Sequence, residues 1–434
     1  MDIDDRFAQI SYWLPGAEKP ETLSLTAGGE ETLIPVALCR RTQRDVWTYG
    51  KEALQTARQQ EGVLVDRLLS RALFREQVTA GGEIFEATAL LALFIKRSLS
   101  LLGGLLRPEK ADFFMFTFEK VDKRALELTE RIAMLLSLPP ERVSCQSRAE
   151  SFFYYNINQP EELWRHLCMI CDFGGQTMKT LVFEANHHTR PATVTIHEQE
   201  QTELERRLPA AEGAAGAYAL EAYVPGELTE ERKEEMDEAF LKILQKAFRG
   251  KIFDTIYLIG DGFEGGWYRK SLSLLCANRR VFQGNNLYSK GACYGGMAKS
   301  PEHKRAEAQY VYLGDDMLKV NIGLEALRRG EEVYLALLDA GMNWFDARGE
   351  CEFLLDADRS FSLRLTPVSG HQTKQVIVTL EGVPERPART TRIHLTVSCP
   401  DADTVKLRME DLGFGDFFPS SGHIWEETFV MKQK

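Results

Sequence analysis

The pattern of the chain changes near residue 301, and that change limits the fold more than any motif does. Before it, strand-like and helix-like segments alternate. Beyond it, most segments alternate apolar and polar residues: "EVYLALL", "CEFLLD", "SFSLRLTP", "KQVIVTLEG", "TRIHLTVSC", "TVKLRME". Strand–helix–strand–helix order is α/β wiring. Short strands separated by turn residues at regular intervals are the signature of a β-sandwich. One layered core does not satisfy both patterns, so 434 residues are expected to form two or three domains.

Several segments read clearly. "DFFMFTFE" (112–119) is an apolar-aromatic run suited to a buried strand. Residues 122–136 have helical spacing, with Leu126, Ile132, Leu135 and Leu136 roughly on one face. "RVSCQS" (142–147) reads as a strand and "AESFFYYN" as a helix. Residues 229–248 form the clearest helix: Thr229 can cap it, and Met236, Phe240, Ile243, Leu244, Ala247 and Phe248 make its apolar stripe. Gly250 ends it. "KIFDTIYLIG" is a strand, and 268–278 a further helix. Residues 1–50 read as strands and turns, 51–106 as helical, and 198–225 carry little signal. "SPEHKRAEAQ" reads as a linker.

Charge and patterning exclude some classes. A net charge of −11 argues against nucleic acid or an anionic membrane as the main partner. The opening "MDIDDRFAQI" has no apolar h-region. The apolar stretch 84–106 is interrupted by Lys96 and Arg97, which favours a buried helix over a membrane span. Eight scattered cysteines suit free thiols in a reducing cytoplasm.

Three glycine-rich stretches bear on chemistry. In "MICDFGGQTMKTLVFE" (169–184), Gly174–Gly175 joins two strand-like runs. Gly-Gly is a good hairpin turn. Equally, its N–H groups can form an anion nest, Thr177 adds a hydroxyl, and Asp172 can hold a hydrated Mg²⁺. "GDGFEG" (260–265) fits G-x-G-x-x-G between a strand and a helix, the context of an NADP-dependent oxidoreductase's dinucleotide loop. "SKGACYGG" (289–296) puts small residues on a helix, as close helix packing requires. In "CMIC" (168–171), positions i and i+3 of a strand face opposite sides, so core cysteines are expected. His187–His188 reads as a solvated turn.

In order, these pieces resemble the seventy-kilodalton heat-shock chaperones of the actin-like ATPase superfamily. The stretch from "FFMFTFE" to "FFYYN" is similar to that family's strand, helix and strand before its first connecting helix. "DFGGQT" resembles its second phosphate motif D-x-G-G-x-T, "IYLIGDGF" its adenosine motif, and "NNLYSKGACYGG" its second connecting helix. "VTLEGVPERPARTTRIHLTVSCPDADTVKLRMED" is similar to late strands of its peptide-binding sandwich. The helical lid that follows the sandwich there has no counterpart in these residues.

The resemblance implies a two-lobed α/β fold, actin-like and ribonuclease-H-like, with lobe I at 1–170, lobe II at 171–304 and a β-sandwich at 305–434. It implies ATP in the cleft between lobes. Gly174, Gly175, Gln176 and Thr177 would cradle phosphate, and Gly260 and Gly262 would admit the adenosine. Asp172 would organise Mg²⁺, with Asp2 as a second catalytic carboxylate. An extended peptide or protein segment would bind the sandwich. The stretch "DLGFGDFFPSSGHIWEE" (411–427) is aromatic-rich, which suits a capped sandwich edge, an interaction surface or a segment that fills the sandwich's groove. The site also departs from the family. Asp4 and Asp261 replace glycines, Ser147 stands for the catalytic glutamate, and Asp66 for a phosphate-contacting lysine. Hydrolysis needs metal, cationic charge and positioned water together. A degenerate interaction scaffold is therefore the alternative to a chaperone-like ATP-binding protein.

Overall fold

The computed structural model of the protein describes residues 1–26, 29, 31–42, 46–103, 110–174, 177–203, 228–300, 309–368 and 373–431. Contacts gather Met1–Tyr310 into one compact unit and Val311–Lys434 into a second. The boundary expected between 304 and 305 lies outside the described residues.

The first unit contains a five-stranded sheet and, within a six-stranded one, a second array of five strands. One is built from β1 (Asp2–Ile3), β2 (Phe7–Gln9), β3 (Ile34–Pro35), β4 (Phe114–Phe118) and β5 (Val143–Ser147), in the spatial order β3-β2-β1-β4-β5. The first three are antiparallel neighbours, and β4 and β5 run parallel to β1. The other is built from β6 (Leu167–Gly174), β7 (Thr177–Asn186), β8 (Ala192–Glu203), β9 (Phe253–Ile259) and β10 (Arg280–Gln283). Its order is β8-β7-β6-β9-β10, with the same directions. The two arrays therefore repeat one topology. A division at 170/171 would cut β6, which lies wholly in the second sheet.

The helices repeat as well. Between β3 and β4 run α1 (Gly50–Arg58), α2 (Leu68–Leu73) and α3 (Ala87–Ser100); α4 (Lys123–Leu135) joins β4 to β5, and α5 (Arg148–Ile157) follows β5. In the second array α6 (Glu230–Phe248) precedes β9, α7 (Arg269–Leu275) joins β9 to β10, and α8 (Leu287–Lys299) follows β10. Parallel neighbours need such crossovers. β4 does not alternate because Met115 through Phe118 are buried on both faces of a covered sheet. Thr229 caps α6 by accepting from the N–H of Arg232 at 3.3 Å, and Met236, Phe240, Leu244 and Ala247 are buried, as the periodicity requires. Where α5 passes α8, a Cβ on Gly291 would lie 2.0 Å from the Ser151 carbonyl oxygen. The small residues of 289–296 thus serve helix packing.

Three expectations change. Residues 51–106 are not wholly helical: Gly62–Val65, Gln77–Ala80 and Glu83–Glu86 are strands, the last two forming a hairpin whose turn holds Gly81 and Gly82 at positive φ. Helix α4 buries Ala125, Leu128, Thr129, Ile132 and Ala133 rather than the stripe through Leu126 and Leu135. The observed set follows i, i+3, i+4, i+7 spacing from Ala125, one position before Leu126, so the buried face is turned away from Leu135. The low-signal stretch from 198 begins with the end of β8. Among the described residues no helix is long and apolar enough to cross a membrane.

The second unit holds β11 (Val320–Arg328), β12 (Glu331–Leu338), β13 (Arg348–Leu355), β14 (Ser360–Pro367), β15 (Lys374–Thr379), β16 (Thr391–Asp401), β17 (Thr404–Gly413) and β18 (Ile424–Val430). They form two antiparallel sheets, β12-β11-β14-β15 and β13-β16-β17-β18. Ile322, Leu324 and Leu363 from one sheet and Ile393, Leu395 and Leu407 from the other share a core. Strand β17 alternates strictly, placing Val405, Leu407, Met409 and Asp411 inward.

Candidate functional site: an arginine-centred cleft

A cavity of about 380 Å³ opens at the carboxyl ends of strands from both arrays of the first unit. Open α/β sheets place ligand crevices at this end. Asp2, Asp4 and Arg6 come from β1 and the turn after it, Glu119 follows β4, and Arg148 opens α5. Asp172 and Gly174 end β6, Lys179 lies on β7, Gly260 and Asp261 follow β9, and Tyr288 is on α8.

Arg148 is the centre of the site. Its Nε and Nη2 donate to the two carboxylate oxygens of Asp2 at 3.0 and 3.1 Å, and Nη2 also donates to Asp4 Oδ2 at 2.9 Å. Nη1 reaches Glu119 at 3.4 Å and lies 4.0 Å from Asp172 Oδ2. The guanidinium lies over the Tyr288 ring, 5.1 Å from its centroid, and the Tyr288 hydroxyl donates to Asp172 Oδ2 at 3.1 Å. Two further pairs join the arrays: Lys179 Nζ to Glu119 Oε1 at 2.5 Å, and Arg6 in a two-pronged pair with Asp261.

The electrostatics follow from burial and this network. Burial disfavours a charged Arg148, but Asp2, Asp4, Asp172 and Glu119 more than offset it and raise its proton affinity well above the ordinary value. Burial works against the Asp4 anion, yet Arg148 and the N–H groups of Phe7 and Arg6 hold its carboxyl below the usual range. Asp172 goes the other way: burial pushes it up to about 6, and Arg148 offsets this only in part. Burial raises Asp2 too, despite its bidentate partner.

Of the residues expected from sequence, Asp2, Asp172, Gly174 and Gly260 meet at this cavity. Gly175 and Gln176 lie outside the described residues, and Thr177 is described only as the first residue of β7, paired with Gly174 across a hairpin. The bend is therefore a hairpin that also borders the cleft. Gly260 and Gly262 have a packing reason for their size. A Cβ on Gly260 would lie 2.3 Å from the Phe173 carbonyl oxygen, and one on Gly262 2.4 Å from the Phe173 ring. The helix expected over 268–278 runs Arg269–Leu275; it begins four residues past Gly265, so no α-helix N-terminus abuts the glycines as in a dinucleotide loop. Ser147 caps α5, accepting from the N–H of Glu150 at 3.1 Å, and Asp66 lies near Arg67 and Arg71 instead of lining the cavity. Cys168 and Cys171 are buried thiols whose ionisation burial suppresses, and His187 and His188 sit in an exposed turn.

The arrangement does not fit the Mg²⁺ expected at Asp2 and Asp172. Magnesium demands oxygen ligands at about 2.0–2.1 Å in near-octahedral array. Both Asp2 oxygens are engaged by Arg148, and Asp172 is a raised, Tyr288-bonded carboxyl. Among the described residues no group of three or more His, Cys, Asp or Glu side chains could hold a metal ion.

Sequence reasoning missed Arg148 and Arg6. Arg148 had one local signal: it is a cation in the first turn of a helix, where the macrodipole disfavours positive charge.

Fold and site define a repeated α/β unit with an arginine–carboxylate cleft, followed by an antiparallel two-sheet unit. A family model described as "Family of unknown function (DUF5716) C-terminal" matches residues 19–315, and the chain belongs to this family. A second, "Domain of unknown function (DUF8552)", matches residues 317–431. No curated protein matches the chain.

Proposed function

We propose that the first unit is a two-lobed actin-like module akin to the ATPase of the seventy-kilodalton heat-shock chaperones, with a resident guanidinium in place of its metal. The chain then acts as a non-hydrolysing, protein-binding scaffold. The repeated order of three antiparallel and two parallel strands supports the fold reading. The observation that carries the functional reading is Arg148, bidentate on Asp2 and facing Asp172.

Phosphoryl transfer relies on metal ions that bridge phosphate oxygens and neutralise developing charge. A guanidinium supplies one positive charge, in a fixed plane, with no exchangeable ligand position. Here its donors already serve carboxylates. Six carboxylates line the cavity against three cations, Arg6, Arg148 and Lys179. A triphosphate would add like charge, at about 4 kcal/mol per pair of unit charges 4 Å apart and an effective dielectric of 20. Ion pairs across the cleft also do what a bridging nucleotide does elsewhere: they tie the two arrays directly.

The sandwich supplies a surface for protein contacts. Inward-facing Asp411 accepts from Arg386 at 3.0 Å on both oxygens, from Gly413 N–H at 2.8 Å and from Ser421 N–H at 3.0 Å. Both ends of the 413–423 loop are thereby pinned, and Phe417 at its tip is 92% exposed. A pre-ordered loop with an exposed aromatic ring loses little entropy on binding.

Thermal-shift titration of the full chain with Mg-ATP, ATP plus chelator, and NADPH tests this reading. The expected result is no stabilisation by Mg-ATP. A saturable Mg-dependent shift, about 2.7 kcal/mol at a hundredfold excess over Kd, would overturn it and restore the nucleotide-binding chaperone. A shift with NADPH alone would favour the dinucleotide enzyme.

A further inference from the structure

A second cavity, of about 400 Å³, lies away from the cleft among α2, α3 and α4. Its lining includes Phe74, Arg75, Arg124, Leu128 and Arg131. Three arginines around one pocket stand out in a chain of net charge −11. Two have carboxylate partners: Arg75 pairs with Glu127, and Arg131 with Glu86 at 3.1 Å. Arg124 has none among the described residues. Its guanidinium carbon lies 4.5 Å from the centroid of the Phe74 ring, which is 63% exposed.

The local backbone is built for this display. Helix α2 ends at Leu73, Phe74 is its C-cap, and Arg75 follows with φ +55°. That left-handed conformation costs a non-glycine residue roughly 1–2 kcal/mol. A glycine would relax the turn but remove a guanidinium from the rim. An exposed ring under an arginine without a carboxylate presents both halves of a recognition surface: apolar contact and unspent charge.

We propose that this pocket binds an acidic segment of a partner protein, with its carboxylates on Arg124 and Arg131 and an apolar side chain against Phe74 and Leu128. The charge complementarity is local and centres on Arg124: Arg75, Arg124 and Arg131 line the pocket against Glu127 in a chain that is acidic as a whole. A polyphosphate or nucleic-acid phosphate backbone carries no apolar side chain to set against Phe74 and Leu128. The proposal concerns a different surface from the cleft and stands or falls independently of it.

The test is fluorescence anisotropy of the full chain with a fluorescein-labelled peptide in which Glu alternates with Leu, beside a counterpart carrying Lys for Glu. The acidic peptide should bind and the basic one should not. Arg124→Glu should weaken binding about tenfold, the effect of one charge-assisted contact. Phe74→Ser should weaken it with the net charge unchanged. Arg131→Gln provides a milder variant, and unchanged melting curves identify folded variants. Equal binding of the two peptides, affinity within about twofold after Arg124→Glu, or displacement by inorganic polyphosphate at matched charge would overturn the proposal.

Discussion

Asp172→Asn should stabilise the first unit at neutral pH. The Asp172 carboxyl moves from 3.8 to about 6 because burial disfavours its anion more than Arg148 supports it. At 1.36 kcal/mol per tenfold change in proton affinity, that difference is about 3 kcal/mol. The folded-state value is raised, so the favourable contribution of the protonated form is complete below 3.8 and is lost as pH rises through about 6. Asparagine has no anion to bury, and its side-chain oxygen still accepts from Tyr288. The gain over the parent should therefore be near zero at pH 4 and grow to about 3 kcal/mol by pH 7.5. Urea unfolding of both proteins at several pH values, with and without MgCl₂, measures this. Loss of stability on substitution at pH 7.5, or magnesium stabilising the parent and not the variant, would refute the reasoning. Either result would make Asp172 a compensated anion, as a metal ligand is.

Two further substitutions probe the same unit. Arg148→Met leaves the buried Asp2 and the half-buried Asp4 without their shared cation and should cost about 3–5 kcal/mol, read as a lower urea midpoint. Restoration of the parent's stability by Mg²⁺ in that variant would show that the site still accepts a metal once the guanidinium is gone. Gly291→Ala drives a Cβ to 2.0 Å from the Ser151 carbonyl oxygen, a backbone atom that cannot rotate away. Overpacking between α5 and α8 should cost about 1–3 kcal/mol or more, and an unchanged melting temperature would contradict the close helix approach.

What the sequence reveals and what it hides divide along range. The stripe of α6, the buried run of β4 and the alternation of β17 are local patterns, and each is legible from spacing alone. The repeated topology is not. β1 and β3 have two residues each, too short for any periodicity, and become strands only by pairing with distant partners. Glycine carries a related ambiguity. Gly260 and Gly262 signal close approach in sequence, and within the fold the group that approaches both is Phe173. Arg148 lies 146 positions from Asp2, so no window along the chain contains the pair. Yet the two departures from the chaperone pattern already pose the question these arginines answer. An aspartate at 4 and another at 261, where glycines are expected, add negative charge to a cleft that begins with Asp2 and Asp172. Buried carboxylates persist as anions only beside a partner. Asp4 has Arg148 and Asp261 has Arg6. Each added carboxylate meets a guanidinium, so donors of Arg148 and Arg6 are committed to carboxylates within the cleft.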